Sequence, residues 1–264
     1  MTGILIIYII KMQIEFCVLR QHMFIYQVMM IDGDFVVKIV LILAFVLAAM
    51  TAIVVHEFSH AFVAKLNGDY TAKLAGRMTL NPVKHFDPIG LLMMLLVGFG
   101  WAKPVPINSD NFTRYRRGML TVSAAGVTAN LLMAGAGLLL LFLLMPMLYV
   151  AFAGSAFVVY IQYFVRYFLE FSVVFDFMLA LFNLLPVYPL DGYNIVATLF
   201  PKATGYRNFM VRYGTWILLG YIVLSNVFDA LGLWYLDIFG MFNSVIYDLM
   251  GLVERASLAI FLQV

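Results

Sequence analysis

The chain has 264 residues, of which 64% are apolar and only 11% charged, with a formal net charge of +2 and a mean hydropathy of +0.99. A soluble domain carries about 25% charged residues, so this composition excludes an ordinary soluble globule and points to a chain facing lipid or other apolar helices. No long basic or acidic run suggests nucleic acid, and the single cysteine, Cys17, excludes an intramolecular disulfide framework.

Residues 1–31 lack the ~20 apolar residues a spanning helix needs, because Lys11, Glu15, Arg20 and His22 interrupt them. This stretch reads as a peripheral N-terminal extension or an over-called start. Residues 32–201 read as a membrane-embedded core and 202–264 as C-terminal membrane helices. Phe35–Ala64 is the first clear span, ended by Lys65 and Asn67-Gly68. A more polar stretch follows, in which Thr71–Leu80 reads as a short extended segment. Ile89–Phe99 is apolar but half a span long, and Gly98, Gly100, Pro104 and Pro106 stop any helix there. It reads as re-entrant. Met119–Leu144 is the second span, rich in small residues that permit close packing in lipid. Pro146 to Tyr163 reads as a turn and connector, Val165–Leu185 as the third span and Phe209–Phe228 as a fourth. Trp234 onward is apolar but broken by Asp237, Asp248, Glu254 and Arg255, and could span or lie along the interface. The expected fold is an all-α polytopic membrane protein of about 4–6 transmembrane helices, by the ~20-residue span rule, with a re-entrant segment and a short β element.

Orientation follows from the Lys/Arg bias. With Ile89–Phe99 re-entrant, residues 65–118 share one side and hold eight basic residues, whereas Pro146–Ser155 holds none. The basic side is expected to be cytoplasmic. The third span then delivers Leu190-Asp191-Gly192 to that same side.

The chemistry centres on His56-Glu57-Phe58-Ser59-His60. Histidines at i and i+4 share a helix face and can bind one Zn²⁺, while the glutamate beside the first can act as general base. Ionisable groups within a span are costly and usually functional. Two histidines and a water leave one ligand to find. Asp191 is the leading candidate, at the same membrane face. The alternative role for Asp191 is N-cap of a helix over Tyr193–Leu199, and Glu170 and Asp176 are rival ligands on the third span.

These motifs, with Asn183-Leu184-Leu185-Pro186-Val187-Tyr188-Pro189-Leu190-Asp191-Gly192, resemble the site-2 proteases, intramembrane zinc metalloproteases with an H-E-x-x-H helix and a later N-x-x-P…L-D-G helix. The resemblance extends to Asn67-Gly68-Asp69, Ala75-Gly76-Arg77, Asn81 through Gly90, and Gly100-Trp101-Ala102-Lys103-Pro104-Val105-Pro106. It is closest to the compact bacterial and archaeal branch without PDZ or CBS domains. The resemblance implies that His56, His60 and Asp191 bind one zinc ion and that Glu57 activates the attacking water. Gly126 and Asn130 match the family's G-x-x-x-N, which implies that Asn130 holds substrate or the developing oxyanion; interhelical hydrogen bonding is its other reading. Val127, Tyr188 and Tyr193 depart from residues common in relatives and bear on substrate fit. His85 is expected to order its loop more than to contact metal.

The expected reaction is peptide hydrolysis in or near transmembrane helices of membrane-protein substrates, in the cell membrane with the active site near the cytoplasmic face. Substrate identity, a gating partner and oligomeric state stay open. The competing readings are a prenyl-peptide-type zinc protease with Glu170 as third ligand, and a non-enzymatic membrane binding or transport protein.

Overall fold

The computed structural model describes Val28 and residues 34–97, 100–149, 156–233 and 236–262. The expected 1–31 extension lies outside these residues apart from Val28. In chain order the helices are α1 (Phe35–Leu66), α2 (Thr71–Leu74), α3 (Pro82–His85), α4 (Pro88–Val97), a 3₁₀ turn (Ser109–Asn111), α5 (Tyr115–Tyr149), α6 (Ala156–Leu184), α7 (Asp191–Leu199), α8 (Thr204–Ala230) and α9 (Ile238–Leu262). Among the described residues, Phe35–Leu66, Tyr115–Leu148 and Phe157–Leu184 are long and apolar enough to cross a membrane.

These three helices form the core. The Asp34 carboxylate caps α1 through the Val36 amide. Ala44, Ala48, Ala49 and Ala52 then line α1 with almost no exposure, letting Tyr167 and Phe171 of α6 pack closely beside Leu41 and Phe45. A second cluster joins Leu141 and Met145 of α5, Leu169 and Val173 of α6, and Ile246, Tyr247 and Met250 of α9. A Cβ on Gly137 would fall 2.7 Å from Val173 Cγ2, so the glycine sets the α5–α6 approach. Arg166 of α6 pairs with Glu170 at 2.7 Å and with Glu254 of α9 at 3.1 Å. Mutual pairing is how charges are tolerated in such a core.

Two expectations are corrected. No strand occurs among the described residues, and Thr71–Leu74 within the expected extended segment is a helical turn. Asp69 imposes it: its Oδ1 accepts from the Thr71 amide at 3.0 Å, and the chain then closes helically from Tyr70. Asp69 also accepts from the Asn108 amide and from Asn111, tying residues 108–111 to the end of α1. Burial alone would raise the Asp69 carboxyl, but these hydrogen bonds outweigh it and hold it below the usual range. The second correction concerns Pro146, read as a turn. Helix α5 continues through it to Tyr149, and α6 starts at Ala156, before the expected Val165. Proline leaves the Phe142 carbonyl without its intrahelical donor; the Ser257 hydroxyl of α9 donates to that carbonyl instead.

Helix α4 has ten residues, about 15 Å at ~1.5 Å per residue, half of a ~30 Å hydrocarbon core. The chain returns to its start: a Cβ on Gly100 would lie 2.2 Å from the Gly90 carbonyl oxygen, and one on Gly90 would lie 2.0 Å from that of Trp101.

Candidate metal centre

Helix α1 presents His56 and His60 one turn apart on its inner face, both buried. Helix α5 lies against them. Val122, Gly126 and Asn130 recur every four residues and so form one stripe facing the imidazoles. The Val122 carbonyl lies 2.8 Å from His60 Nδ1, and Asn130 Oδ1 lies 2.6 Å from His56 Nδ1. Between them Gly126 leaves room, since a Cβ there would fall 2.5 Å from His56 Cε1 and 2.6 Å from His60 Nε2.

The hydrogen bonds fix the tautomers. A carbonyl oxygen only accepts, so His60 Nδ1 must donate to Val122. The amide of Asn130 donates from Nδ2 to the Ala52 carbonyl at 3.1 Å and to Asp176 Oδ1 at 2.6 Å, which leaves Oδ1 as acceptor from His56 Nδ1. With the imidazoles neutral, as metal ligands are, each Nε2 carries its lone pair, and the two face each other at 3.0 Å. Asp191 Oδ2 completes the group, 3.4 Å from His56 Nε2 and 3.2 Å from His60 Nε2. It is buried and no donor satisfies it.

Asp191 reaches this place through the turn after α6. It is the first residue of α7, whose N-cap is Leu190, and it makes no capping hydrogen bond. Gly192 permits the turn: a Cβ there would meet the Leu184 and Leu185 carbonyl oxygens at 2.3 and 2.4 Å. Glycine after the aspartate is thus a steric requirement of folding α7 back onto the end of α6.

With both imidazoles neutral, three electron-pair donors this close repel one another unless a cation sits among them. Two imidazoles and a carboxylate are zinc-type ligands, and around a tetrahedral ion at ~2.0–2.1 Å such atoms are about 3.3 Å apart. The 3.0–3.4 Å separations here match, so His56, His60 and Asp191 could hold one ion.

Glu57 stands beside the group with Oε2 accepting from the Val105 amide at 2.8 Å. Sequence reasoning did not find that contact. The signal was a lone amide between Pro104 and Pro106. Asp176, weighed as a rival ligand, instead touches Asn130. Glu170, the other rival, is engaged by Arg166, which argues against the prenyl-peptide reading. His85 Nε2 donates to the Thr79 carbonyl at 2.8 Å, and the His85 carbonyl accepts from Lys103, so this residue orders its loop.

The model of peptidase family M50 matches residues 44–224. YwhC of Bacillus subtilis (strain 168), provisionally named a zinc metalloprotease, is 39% identical over 183 residues, covering 68% of this chain and 78% of its own. Rip2 of Mycobacterium tuberculosis (strain H37Rv), likewise provisionally named a zinc metalloprotease, is 34% identical over 155 residues, covering 54% of this chain and 52% of its own. Rip2 of Mycolicibacterium smegmatis is 32% identical over 154 residues, 55% of this chain and 52% of its own. The chain thus spans about half the length of the Rip2 proteins. No solved structure gives a significant match.

Proposed function

The chain belongs to peptidase family M50, the site-2 protease family of membrane zinc metalloproteases, and from that premise we propose that it hydrolyses peptide bonds in or near transmembrane helices of other membrane proteins. The observation that carries this reading is the convergence of two Nε2 atoms and Asp191 Oδ2 within 3.0–3.4 Å, with Glu57 next to His56 on the same helix.

His56, His60 and Asp191 are the proposed ligands. A zinc ion held there supplies Lewis acidity toward a carbonyl and lowers the pKa of water. The protein does the rest. Asn130 and the Val122 carbonyl keep each Nδ1 protonated and each ring fixed in orientation. Glu57 Oε1, which has no partner among the described residues, takes the proton of the attacking water and passes it to the leaving nitrogen. Both N–H bonds of Asn130 are occupied. Its proposed role is therefore to position His56, in place of the oxyanion contact that the family resemblance implies. Metal analysis tests the ligand set. Wild type and Glu170→Ala are expected to hold about one zinc per chain, and Asp191→Ala to lose it. Zinc retained by Asp191→Ala but lost from Glu170→Ala would transfer the third ligand to Glu170.

The membrane arrangement is part of the proposal. Counting from Phe35, His56 lies about 30 Å along α1 at ~1.5 Å per residue, close to one hydrocarbon thickness, so the cluster falls near the far face. The basic 65–118 stretch supports that face being cytoplasmic. The half-length of α4 and the Gly90–Gly100 contact support a re-entrant path there, and α8 is the proposed fourth span. In a Cys17→Ser background, a membrane-impermeant thiol reagent on intact cells is expected to label Ser155→Cys, and Ser109→Cys only after permeabilisation. The reverse pattern would invert the topology.

A further inference from the structure

The motif Ala75-Gly76-Arg77 has no role in the metal centre, yet it lies against Lys103-Pro104-Val105-Pro106, whose Val105 amide holds Glu57. The structure joins them. Gly76, at φ +65, ends the α2 turn in the left-handed region, and the Arg77 amide closes back to the Ala72 carbonyl at 2.8 Å. The Arg77 side chain then lies against the 103–106 segment. Its Nη2 donates to the Lys103 carbonyl at 2.7 Å and to the Pro104 carbonyl at 3.2 Å. The Pro104 carbonyl and the Val105 amide belong to one peptide unit. The N–H end of that unit donates to Glu57 Oε2 at 2.8 Å.

Resting on the reading of Glu57 as general base, we propose that Arg77 is a positioning residue that fixes Glu57 through the Pro104–Val105 peptide. A guanidinium on the carbonyl end of a peptide polarises it and strengthens the N–H at the other end as a donor. One carboxylate oxygen of Glu57 is thereby held and the other left for water.

Several features favour this use of Arg77. No carboxylate pairs with it among the described residues, and its Nε is buried without a partner. Arg77 as a whole is only half-buried, and a purely structural tie to two carbonyls would not need its charge. The segment also cannot slip. Proline on either side of Val105 has no N–H, so a shift of one residue would present Glu57 with no donor. The Val105 side chain, buried against Ala61 of α1 and Ala72 of α2, locks the same register.

The test uses the full chain in detergent with the single-span helical peptide that wild type cleaves fastest in a panel. Arg77→Ala is expected to lower kcat about 10²-fold, the scale for a catalytic group displaced by ~1 Å, with KM and zinc content unchanged. Millimolar guanidinium is expected to restore part of the rate, and Arg77→Lys to retain more than Arg77→Ala. Val105→Pro, which deletes the donor and leaves a smaller apolar side chain in its place, is expected to lower kcat similarly. Combined with Arg77→Ala it should add no further loss, because both act through one peptide. Zinc content and thermal melting check folding, and should Val105→Pro not fold, the guanidinium rescue still decides. Wild-type kcat in Arg77→Ala, a loss confined to KM, no guanidinium rescue, or additive losses in the double variant would each overturn the inference. Failure of the underlying reading looks different: Glu57→Gln would then cleave like wild type.

Discussion

Glu57→Gln is expected to fold, to bind zinc as wild type does, and to lose about 10²–10⁴ in cleavage rate, the usual worth of a general acid–base group. The substitution is close to isosteric. Its amide oxygen can still accept from the Val105 amide, now held by Oε2 at 2.8 Å, so the 103–106 segment need not move. What changes is the other terminal atom. Oε1 of the carboxylate can take a proton, whereas the NH₂ that replaces it can only donate. Proton acceptance is removed while packing, the histidine tautomers and the ligand cluster are left intact. The loss should exceed that of Arg77→Ala, which misplaces the base without deleting it. Rates on the same peptide panel, with zinc measured on the same preparations, check this. Cleavage near the wild-type rate would put the base elsewhere, and loss of the metal would make Glu57 a ligand.

The parts of the site that were legible in the sequence are those set by local spacing. Histidines four apart share a helix face whatever surrounds them. Asp191 could be placed at the same membrane face because span lengths and Lys/Arg bias fix which loops share a side. The parts that were not legible depend on contacts distant in sequence. Nothing near Pro146 reveals that Ser257 will satisfy the Phe142 carbonyl, so the proline looked like a helix end. Nothing near Thr71 reveals that Asp69 will be held by Asn108 and Asn111 and will impose a helical turn. Glu170 resembled a ligand because a lone carboxylate in a span usually is functional. Its partner, Arg166 one turn away, also pairs with Glu254 on α9, and this gives Glu170 a packing role that only the tertiary structure displays. The stripe Val122-Gly126-Asn130 lies between these cases. The Gly126–Asn130 spacing was visible, but the place of Val122, and the need for glycine between it and Asn130, were not.

That glycine carries the second large effect. Gly126→Ala is expected to weaken zinc binding by about 10²-fold, the upper range for disturbing what orients metal ligands, while the helices stay folded. A Cβ at this position would lie 2.5 Å from His56 Cε1, 2.6 Å from His60 Nε2 and 2.7 Å from His56 Nδ1, all inside van der Waals contact. Helix α5 cannot retreat to make room. It is tied to the same two rings one turn to either side, by the Val122 carbonyl on His60 and Asn130 on His56. The rings must therefore yield, which disturbs the convergence of the two Nε2 atoms and Asp191 Oδ2. The far half of α5 is unaffected, because its apolar packing on α6 and α9 is centred around Leu141 and Met145. Gly135→Ala is the matched control. A Cβ there meets nothing within 4 Å, so the same change of residue should leave zinc affinity untouched and stabilise the helix by up to about 1 kcal/mol. Chelator competition on the two purified variants, with thermal melting alongside, separates a blocked metal site from a damaged helix. Wild-type zinc affinity in Gly126→Ala would mean that α5 does not press on the histidines as the Val122-Gly126-Asn130 stripe requires.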